Sequence, residues 1–238
     1  TETCPLQVIP LRVHGFMEHI VHASAIRQLH AAVQLDALAP RWVAPVLQRM
    51  PEIGQIIDNP FAHGELSFAA RYHLARQLAK ADYQSAYVLP NSLKSALIPF
   101  LAGIPERIGF TGESRYGLIN VRHELDKQAL PLMVERFVQL AETPGTPPAK
   151  PIAQPRIRSS QADQQRTLAE LGLSKPQRIV AFCPGAEYGP AKRWPAAHFA
   201  ALARQLAEQG CAIWLFGSPK DHAVAEEISQ LAPGLCRN

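Results

Sequence analysis

The chain has 238 residues, 47% hydrophobic and 18% charged, a globular composition long enough for one large or two modest domains. No apolar run reaches the ~18 residues of a membrane-spanning helix, and no long run of Lys and Arg indicates a nucleic-acid-binding tail. The formal net charge of +4 fits an anionic ligand or surface, and equally an ordinary, slightly basic protein.

The first part of the chain alternates short strand patterns with helix patterns. The predicted strands cover residues 33–38, 56–57, 83–89 and 107–110. The predicted helices cover residues 40–50, 68–80, 93–102 and 131–141. Asn91 and Ser92 stand directly before the third of these helices and are the residue types that cap helix N-termini.

A proline-rich segment, TPGTPPAKPIAQP, then interrupts the pattern at residues 143–155. Its five prolines in thirteen residues cannot form a packed helix or strand, which predicts a linker. We therefore predict a first domain over 1–142, a linker over 143–160 and the start of a second domain over 161–238.

Helix and strand patterns alternate again after the linker. Predicted helices cover 161–171, 195–209 and 221–231, and predicted strands cover 178–183 and 211–216. The strands IVAFC and AIWLF are apolar on both faces, as buried parallel strands are. The fold class is therefore α/β, with two Rossmann-like domains. Two strands are too few for a doubly wound sheet, so we expect the second domain to be incomplete and the chain to be truncated at its C-terminal end.

Single residues within these patterns carry further expectations. Trp42 and Trp214 lie in apolar patterns and are expected in the core. Cys183 and Cys211 are expected to be small buried hydrophobes, since none of the four cysteines forms a C-x-x-C pair or a metal-binding spacing. Unpaired thiols indicate a reducing compartment and hence the cytoplasm.

One candidate ligand loop follows the predicted strand 178–183. In open α/β sheets, ligands bind beyond the carboxyl ends of the strands. Gly185 and Gly189 let the backbone approach a ligand or adopt positive φ, Pro195 opens the next helix, and Lys192 adds a cation. These features suit a phosphate or diphosphate near the helix N-terminus, and equally an ordinary β–α connection with a surface lysine.

Two more loops occupy such positions. In FGSPKDH, Gly217 permits close approach, and Asp221 could accept from a ribose hydroxyl or cap its helix. In LPNSLKS, Lys94 lies in the first helical turn, where a cation opposes the helix dipole, so either a bound anion or solvent accounts for it. Downstream, RIGFTGESRYG carries Arg115 in a glycine-bearing loop, which could hold an anionic acceptor or simply expose scattered arginines.

Together these motifs resemble one family. CPGAEYGPAKRWP, FGSPKDH and YVLPNSLKSALIPFLAGIPERIGFTGESRYG occur in the order found in the ADP-heptose:lipopolysaccharide heptosyltransferase II group of glycosyltransferase family 9. The resemblance covers residues 25–238 and implies a GT-B fold, with two Rossmann-like domains. It implies inverting, metal-independent transfer of L-glycero-D-manno-heptose from ADP-heptose to heptosyl-Kdo₂-lipid A in lipopolysaccharide core biosynthesis, without a cofactor.

The resemblance also assigns roles to residues. Lys192 is expected to neutralise the leaving diphosphate, and Asp221 to meet the donor ribose. The other donor-phosphate positions are Gly185, Ala186, Glu187 and Tyr188, and the acceptor-side positions are Asn91, Ser92, Lys94 and Arg115. The lipid-linked acceptor, with the basic excess, implies peripheral contact with the inner face of the inner membrane.

The sequence departs from the family at both ends. The family's opening turn, Gly-Pro-Ser-Trp-Val-Gly-Asp, holds the expected general base, but residues 1–21 contain no such turn, so the catalytic residue is unknown. The family's Asn-Asp-Ser-Gly phosphate loop is expected after Asn238. We therefore expect the chain to be inactive alone. The alternatives are a non-catalytic nucleotide-sugar or anion-binding module, and another GT-B sugar-nucleotide enzyme such as a paralogous heptosyltransferase.

Overall fold

The computed structural model describes residues 6–8, 26, 35–62, 65–112, 114–152, 154, 156–186 and 190–238. The chain divides into two compact units, Thr1–Ser159 and Ser160–Asn238, and each has its own parallel sheet. None of the helices in these described residues is long and apolar enough to span a membrane.

The sheet of the first unit has six parallel strands in the spatial order β3-β2-β1-β4-β5-β6. In chain order they are β1 (Leu6–Val8), β2 (Leu35–Ala39), β3 (Ile53–Asp58), β4 (Ser85–Val88), β5 (Glu106–Phe110) and β6 (Val121–His123). The order reverses between β1 and β4, as in the doubly wound Rossmann arrangement. The loop that leaves β4 therefore starts at the point where such sheets bind ligands.

Two strands of this sheet, β1 and β6, were not predicted from the sequence. Leu6–Val8 lies within the segment that matched no family pattern, yet it pairs with β2 on one side and with β4 on the other. Each of the two strands has only three residues, too few to produce a recognisable period in the sequence. Pairing with neighbouring strands, rather than local pattern, determines them.

Residues of β2 show how the first unit is packed. All five are buried, and they alternate between two clusters: Leu35, Ala37 and Ala39 belong to one, and Leu38 to the other. Successive strand residues point to opposite faces of a sheet. Both faces of this sheet are therefore covered, as expected for parallel strands.

The helices of the first unit are α1 (Ala44–Leu47), α2 (Phe68–Leu78), α3 (Leu93–Leu101) and α4 (Met133–Gln139). The predicted helix over 40–50 is shorter than expected, because a 3₁₀ turn at Arg41–Val43 precedes a single α-helical turn. Only Val43 and Leu47 of this short segment are buried. Trp42 is 51% exposed, so its predicted place in the core is wrong.

The proline-rich segment contains no helix or strand among its described residues. Parts of it lie against the first unit. Lys150 forms an ion pair with the largely buried Glu135 (3.1 Å), the Ala149 amide donates to Glu142 (3.1 Å), and Ile152 packs against the core. The division into compact units falls after Ser159.

The second unit has a sheet with the order β7-β8-β9, formed by Ile179–Phe182, Ala212–Leu215 and Cys236–Arg237. The last strand was not predicted, because two residues carry no pattern. The helices are α5 (Gln161–Glu170), α6 (Ala196–Glu208) and α7 (His222–Leu231), close to the three predicted. The core packs α6 and α7 against the sheet, with Ala203, Ile213 and Ile228 almost fully buried.

The cysteine and tryptophan predictions hold only in part for this unit. Cys211 is buried, as expected. Cys183 is exposed, because β7 ends one residue earlier, at Phe182. Trp214 is half-buried rather than in the core.

Candidate functional site

Two loops of the second unit meet at the carboxyl edge of its sheet. The strands β7 and β8 are parallel neighbours in register, with Phe182 opposite Leu215. The loop after Phe182 leads to α6, and the loop after Leu215 leads to α7. Since parallel strands end at the same edge, the two predicted donor loops start side by side.

The carboxylate of Asp221 lies beside both of these loops. Its Oδ2 accepts hydrogen bonds from the Ser218 amide (2.9 Å) and the Ser218 hydroxyl (2.8 Å), a capping box at the start of a 3₁₀ turn. Asp221 occupies the N-cap position of α7, but its side chain makes no capping hydrogen bond to that helix, so the predicted capping role is wrong; the carboxylate bonds to Ser218 of the preceding 3₁₀ turn instead. These two bonds are the main reason that the pKa of the Asp221 carboxyl lies below its usual value; burial opposes them to a smaller extent, and the positive charges of Arg193 and Lys220 each lower the pKa by less than burial raises it.

Gly185 and Gly217 make room for this carboxylate. A Cβ added to Gly185 would lie 2.6 Å from Oδ2 of Asp221, and the other carboxylate atoms would be nearer still. A Cβ on Gly217 would lie 2.8 Å from the Asp221 Cβ. Neither glycine has positive φ. Gly185 is thus required by close packing against Asp221, rather than by the unusual backbone conformation that the sequence also allowed.

An open cleft of about 500 Å³ lies beside this carboxylate. Its lining combines apolar side chains with a few polar groups, a composition typical of small-ligand sites. The lining residues are Pro184, Phe216, Gly217, Ser218, Pro219, Asp221, His222, Ala225 and Asn238.

The remaining predicted donor residues lie close by in the sequence and differ in exposure and position. Ala186 is half-buried, and Lys192 is exposed at the end of a 3₁₀ turn, Pro190–Lys192. Glu187 and Tyr188 lie outside the described residues. Pro195 occupies the N-cap position of α6 rather than its first turn, so the helix begins at Ala196.

Arg193 lies in the same loop and was not among the predicted site residues. Its charge acts on the Asp221 carboxylate from the other loop. The next residue, Trp194, stacks on His198 with ring centroids 5.5 Å apart and meets Phe199 edge-on at 4.9 Å. The sequence did offer one indication of this role: Arg193 directly follows Lys192, and an arginine can bond a phosphate through two of its N–H groups.

The predicted acceptor-side residues come from two loops of the first unit, and Arg115 joins them. Arg115 is only 3% exposed. Its Nη1 donates to the Pro90 carbonyl oxygen (2.8 Å), and its Nη2 donates to the Asn91 Oδ1 (3.2 Å) and to the Phe110 carbonyl oxygen. The structure thus places Arg115 with Asn91, and its guanidinium holds the loops after β4 and β5 together.

Ser92 lies directly before the first turn of α3, and Lys94 lies within that turn. Ser92 is the N-cap residue as predicted, but its hydroxyl bonds to the Ser95 hydroxyl (2.7 Å) rather than to a backbone amide. Asn91 does not cap the helix either, since its side chain accepts from Arg115. Lys94 is half-buried, and its carbonyl oxygen accepts from Arg71 Nη1 (3.3 Å).

His123 is a buried titratable group next to these loops. It ends β6, is 1% exposed, and lies edge-on to Phe110 with ring centroids 6.2 Å apart. Neither ring nitrogen has a hydrogen-bond partner among the residues the structure describes. Burial lowers the pKa of His123 below its usual value of 6.5, so the imidazole is neutral in the folded chain at neutral pH.

Acidification is expected to destabilise the first unit through His123. As the pH is lowered below about 6.5, His123 takes up a proton in the unfolded chain at a higher pH than in the folded chain. The free energy of unfolding therefore decreases as the pH decreases, by at most about 1.4 kcal/mol per pH unit. Urea unfolding at pH 7.5 and pH 5.5 measures the loss. We expect His123→Phe to lose less stability over this interval than the parent chain, whereas His73→Phe, at an exposed position, keeps the parent's pH dependence. Equal losses in all three proteins would contradict the assignment.

The six-stranded order of the first sheet, and the glycine-bearing loops at the carboxyl edge of the second, define a protein built from Rossmann-like units. The family model of glycosyltransferase family 9 (heptosyltransferase) matches residues 71–238, and the chain belongs to that family. The family resemblance predicted from the motifs is thereby confirmed.

Two curated proteins of known function are similar to this chain in sequence. The chain is 47% identical over 199 residues to lipopolysaccharide heptosyltransferase 2 of Escherichia coli strain K12, covering 82% of this chain and 57% of that protein. It is 46% identical over 206 residues to lipooligosaccharide heptosyltransferase 2 of Haemophilus influenzae, covering 84% and 59%. The chain thus spans less than two thirds of the length of these curated relatives.

A solved structure of E. coli ADP-heptose LPS heptosyltransferase II matches the model with a TM-score of 0.87 at 39% sequence identity, covering 99% of this chain and 72% of that one. This match confirms the predicted α/β fold of GT-B type with parallel sheets. The turn expected to hold the catalytic base was sought in residues 1–21, of which the structure describes only Leu6–Val8.

Proposed function

We propose that this chain provides the acceptor and donor loops of an inverting heptosyltransferase. The donor is ADP-L-glycero-D-manno-heptose, and the acceptor is heptosyl-Kdo₂-lipid A of the lipopolysaccharide core. The cleft beside Asp221, between the loops after β7 and β8, is the observation that carries the proposal. The similarity of the chain to proteins named heptosyltransferase 2 supports the choice of substrates.

The donor loops suit a nucleoside diphosphate chemically. Asp221 is ionised and uses Oδ2 for Ser218, while its Oδ1 accepts no hydrogen bond from a described residue. A ribose hydroxyl can therefore donate to Oδ1. Lys192 and Arg193 supply positive charge in the same loop, where the diphosphate gains charge as the bond to the sugar breaks.

The reaction we propose uses these cations in place of a metal ion, and no cofactor. The acceptor hydroxyl attacks the anomeric carbon, the bond from that carbon to the diphosphate breaks, and ADP leaves with inversion, while the hydroxyl proton passes to a general base whose residue is unknown. Asn91, Ser92 and Lys94 would face the acceptor at the point where the order of the first sheet reverses. The setting is the cytoplasm, with peripheral contact at the inner face of the inner membrane.

Replacing Lys192 with alanine tests the donor site. We expect ADP to bind about tenfold more weakly, because one charge-assisted contact to the diphosphate is lost. Isothermal titration of the chain with ADP measures the change. Lys175→Ala is the matched control, since Lys175 is also exposed in the second unit but lies before β7.

Against the inactivity expected from the sequence alone, the proposed function predicts that the parent chain transfers heptose from ADP-heptose to heptosyl-Kdo₂-lipid A, with a lower rate for Lys192→Ala. ADP binding without any transfer would instead favour a nucleotide-sugar-binding module. Unchanged ADP affinity in Lys192→Ala, or equal loss in Lys175→Ala, would overturn the role given to Lys192.

A further inference from the structure

Helix α2 exposes an apolar and basic stripe. Phe68, Tyr72 and Arg76 follow one another at intervals of four residues, so they share one face of the helix. Phe68 is 54% exposed and Tyr72 45%, and Leu66, just before the helix, is 53% exposed. Large side chains on the surface of this helix thus form a contiguous row rather than scattered single residues.

A buried arginine fixes this row against the next helix. Arg71 is 5% exposed and covers the ring of Phe61, 4.0 Å from its centroid. It donates from Nε to the Leu66 carbonyl oxygen (2.6 Å) and from Nη1 to the Lys94 carbonyl oxygen (3.3 Å). The same guanidinium therefore brings Leu66 and the first turn of α3 together. Leu93, in that turn, is 37% exposed and extends the apolar surface.

The charge of these two helices is of one sign. Residues 68–81 contain no Asp or Glu, and neither do residues 93–104. Arg76 and Lys80 are exposed on the α2 side, and Lys94 is half-buried at the start of α3. One carboxylate, Glu65, stands next to Leu66 and accepts hydrogen bonds from the Ala62 amide (2.9 Å) and the Ser67 hydroxyl. The cations outnumber it, so the surroundings of the apolar row are net positive. Such a row is complementary to a surface that is apolar inside and negatively charged outside, which is the character of an anionic lipid bilayer.

The position of the row relates it to the acceptor loops. Helix α3 begins directly after Asn91 and Ser92, at the carboxyl edge of the sheet. We propose that Leu66, Phe68, Tyr72 and Leu93, with Arg76 and Lys94, form a docking patch for an anionic lipid bilayer. Resting on the proposed function, this patch brings the first unit to the membrane from which a lipid-linked acceptor is taken.

Binding to lipid vesicles tests the docking patch directly. The parent chain should cosediment with vesicles that contain phosphatidylglycerol and much less with vesicles of phosphatidylcholine alone. Phe68→Ser should weaken binding roughly tenfold and Leu66→Ser roughly fivefold, because apolar area is no longer buried. Arg76→Gln should weaken it roughly fivefold through the loss of one charge near the surface.

Matched controls lie in the second unit. Leu171→Ser replaces a leucine that is 65% exposed, and Lys175→Gln removes an exposed cation, and both should bind vesicles like the parent. Equal binding to both vesicle types, or equal loss in patch and control variants, would overturn the proposal. So would self-association of the parent chain that Phe68→Ser abolishes in sedimentation velocity, since a second copy would then cover the patch.

ADP titration separates this proposal from the proposed function. The patch variants should keep the parent's affinity for ADP, because the donor cleft lies in the other unit. Vesicle binding by a chain that does not bind ADP would leave the docking patch standing and overturn the proposed donor site. ADP binding without vesicle binding would overturn the docking patch alone.

Discussion

Gly185→Ala is expected to weaken ADP binding roughly ten- to a hundredfold while leaving both sheets folded. The added Cβ would overlap the Asp221 carboxylate, with 2.6 Å to Oδ2. Either the carboxylate moves and loses its two bonds to Ser218, or the loop after β7 shifts away from the cleft. Either change removes the hydrogen bond proposed between the donor ribose and the charged Asp221, and a bond of that kind is worth about 1.5–3 kcal/mol, or roughly ten- to a hundredfold in affinity.

A double-variant cycle makes this expectation specific. In an Asp221→Ala chain the carboxylate is absent, so adding Gly185→Ala should cause little further loss of ADP affinity. Isothermal titration of the parent, the two single variants and the double variant provides the comparison, with circular dichroism to verify folding. Additive losses in the double variant would show that Gly185 acts independently of Asp221.

Arg115→Met is expected to destabilise the first unit by about 3 kcal/mol. The change leaves three acceptors, on Pro90, Asn91 and Phe110, without the guanidinium that now bonds them. Asn91 is exposed and can bond to water, but Phe110 is buried and Pro90 half-buried, and buried acceptors without a partner are costly. Thermal unfolding should show a fall of roughly 6–12 °C in the melting temperature of this unit. The loops after β4 and β5 should become more mobile together.

Arg122→Met is the matched control for Arg115→Met. Arg122 is a nearby arginine that is exposed and follows the start of β6. We expect its replacement to change stability by less than about 0.5 kcal/mol. Arg115→Lys should restore only part of the stability, because one ammonium cannot reproduce the forked geometry of the guanidinium. A melting temperature for Arg115→Met equal to that of Arg122→Met would refute the joining role.

The sequence predicted most of the longer elements well. The strands at Ile179–Phe182 and Ala212–Leu215, and the helices around Ala196–Glu208 and His222–Leu231, lie within a few residues of their predicted positions. These segments carry apolar residues with a regular period, which is visible without the fold. The predicted burial of the strand IVAFC on both faces is wrong, however, because Ile179 and Ala181 are exposed on one face of the three-stranded sheet. The motif order was sufficient to indicate the family, because the matched loops are long and ordered along the chain.

Other features could not be read from local pattern. The strands Leu6–Val8 and Cys236–Arg237 are too short to have a period, and they exist because a neighbouring strand offers its backbone groups. The one-turn helix at Ala44–Leu47 leaves Trp42 exposed, although the residues around it in the sequence are mostly apolar. In each case the outcome depends on residues far away in the sequence.

By itself, the sequence determined the α/β class, the family and the loops that carry its chemistry, because periodicity and motif order are local properties. Only the tertiary structure decided what the single residues in those loops do. Gly185 is small because Asp221, 36 residues later, occupies the space beside it, and Arg115 is buried where it bonds the Pro90 carbonyl in the loop after β4 and the Phe110 carbonyl at the end of β5. Packing and hydrogen-bond satisfaction are relations between distant residues, and they become visible only when the fold brings those residues together.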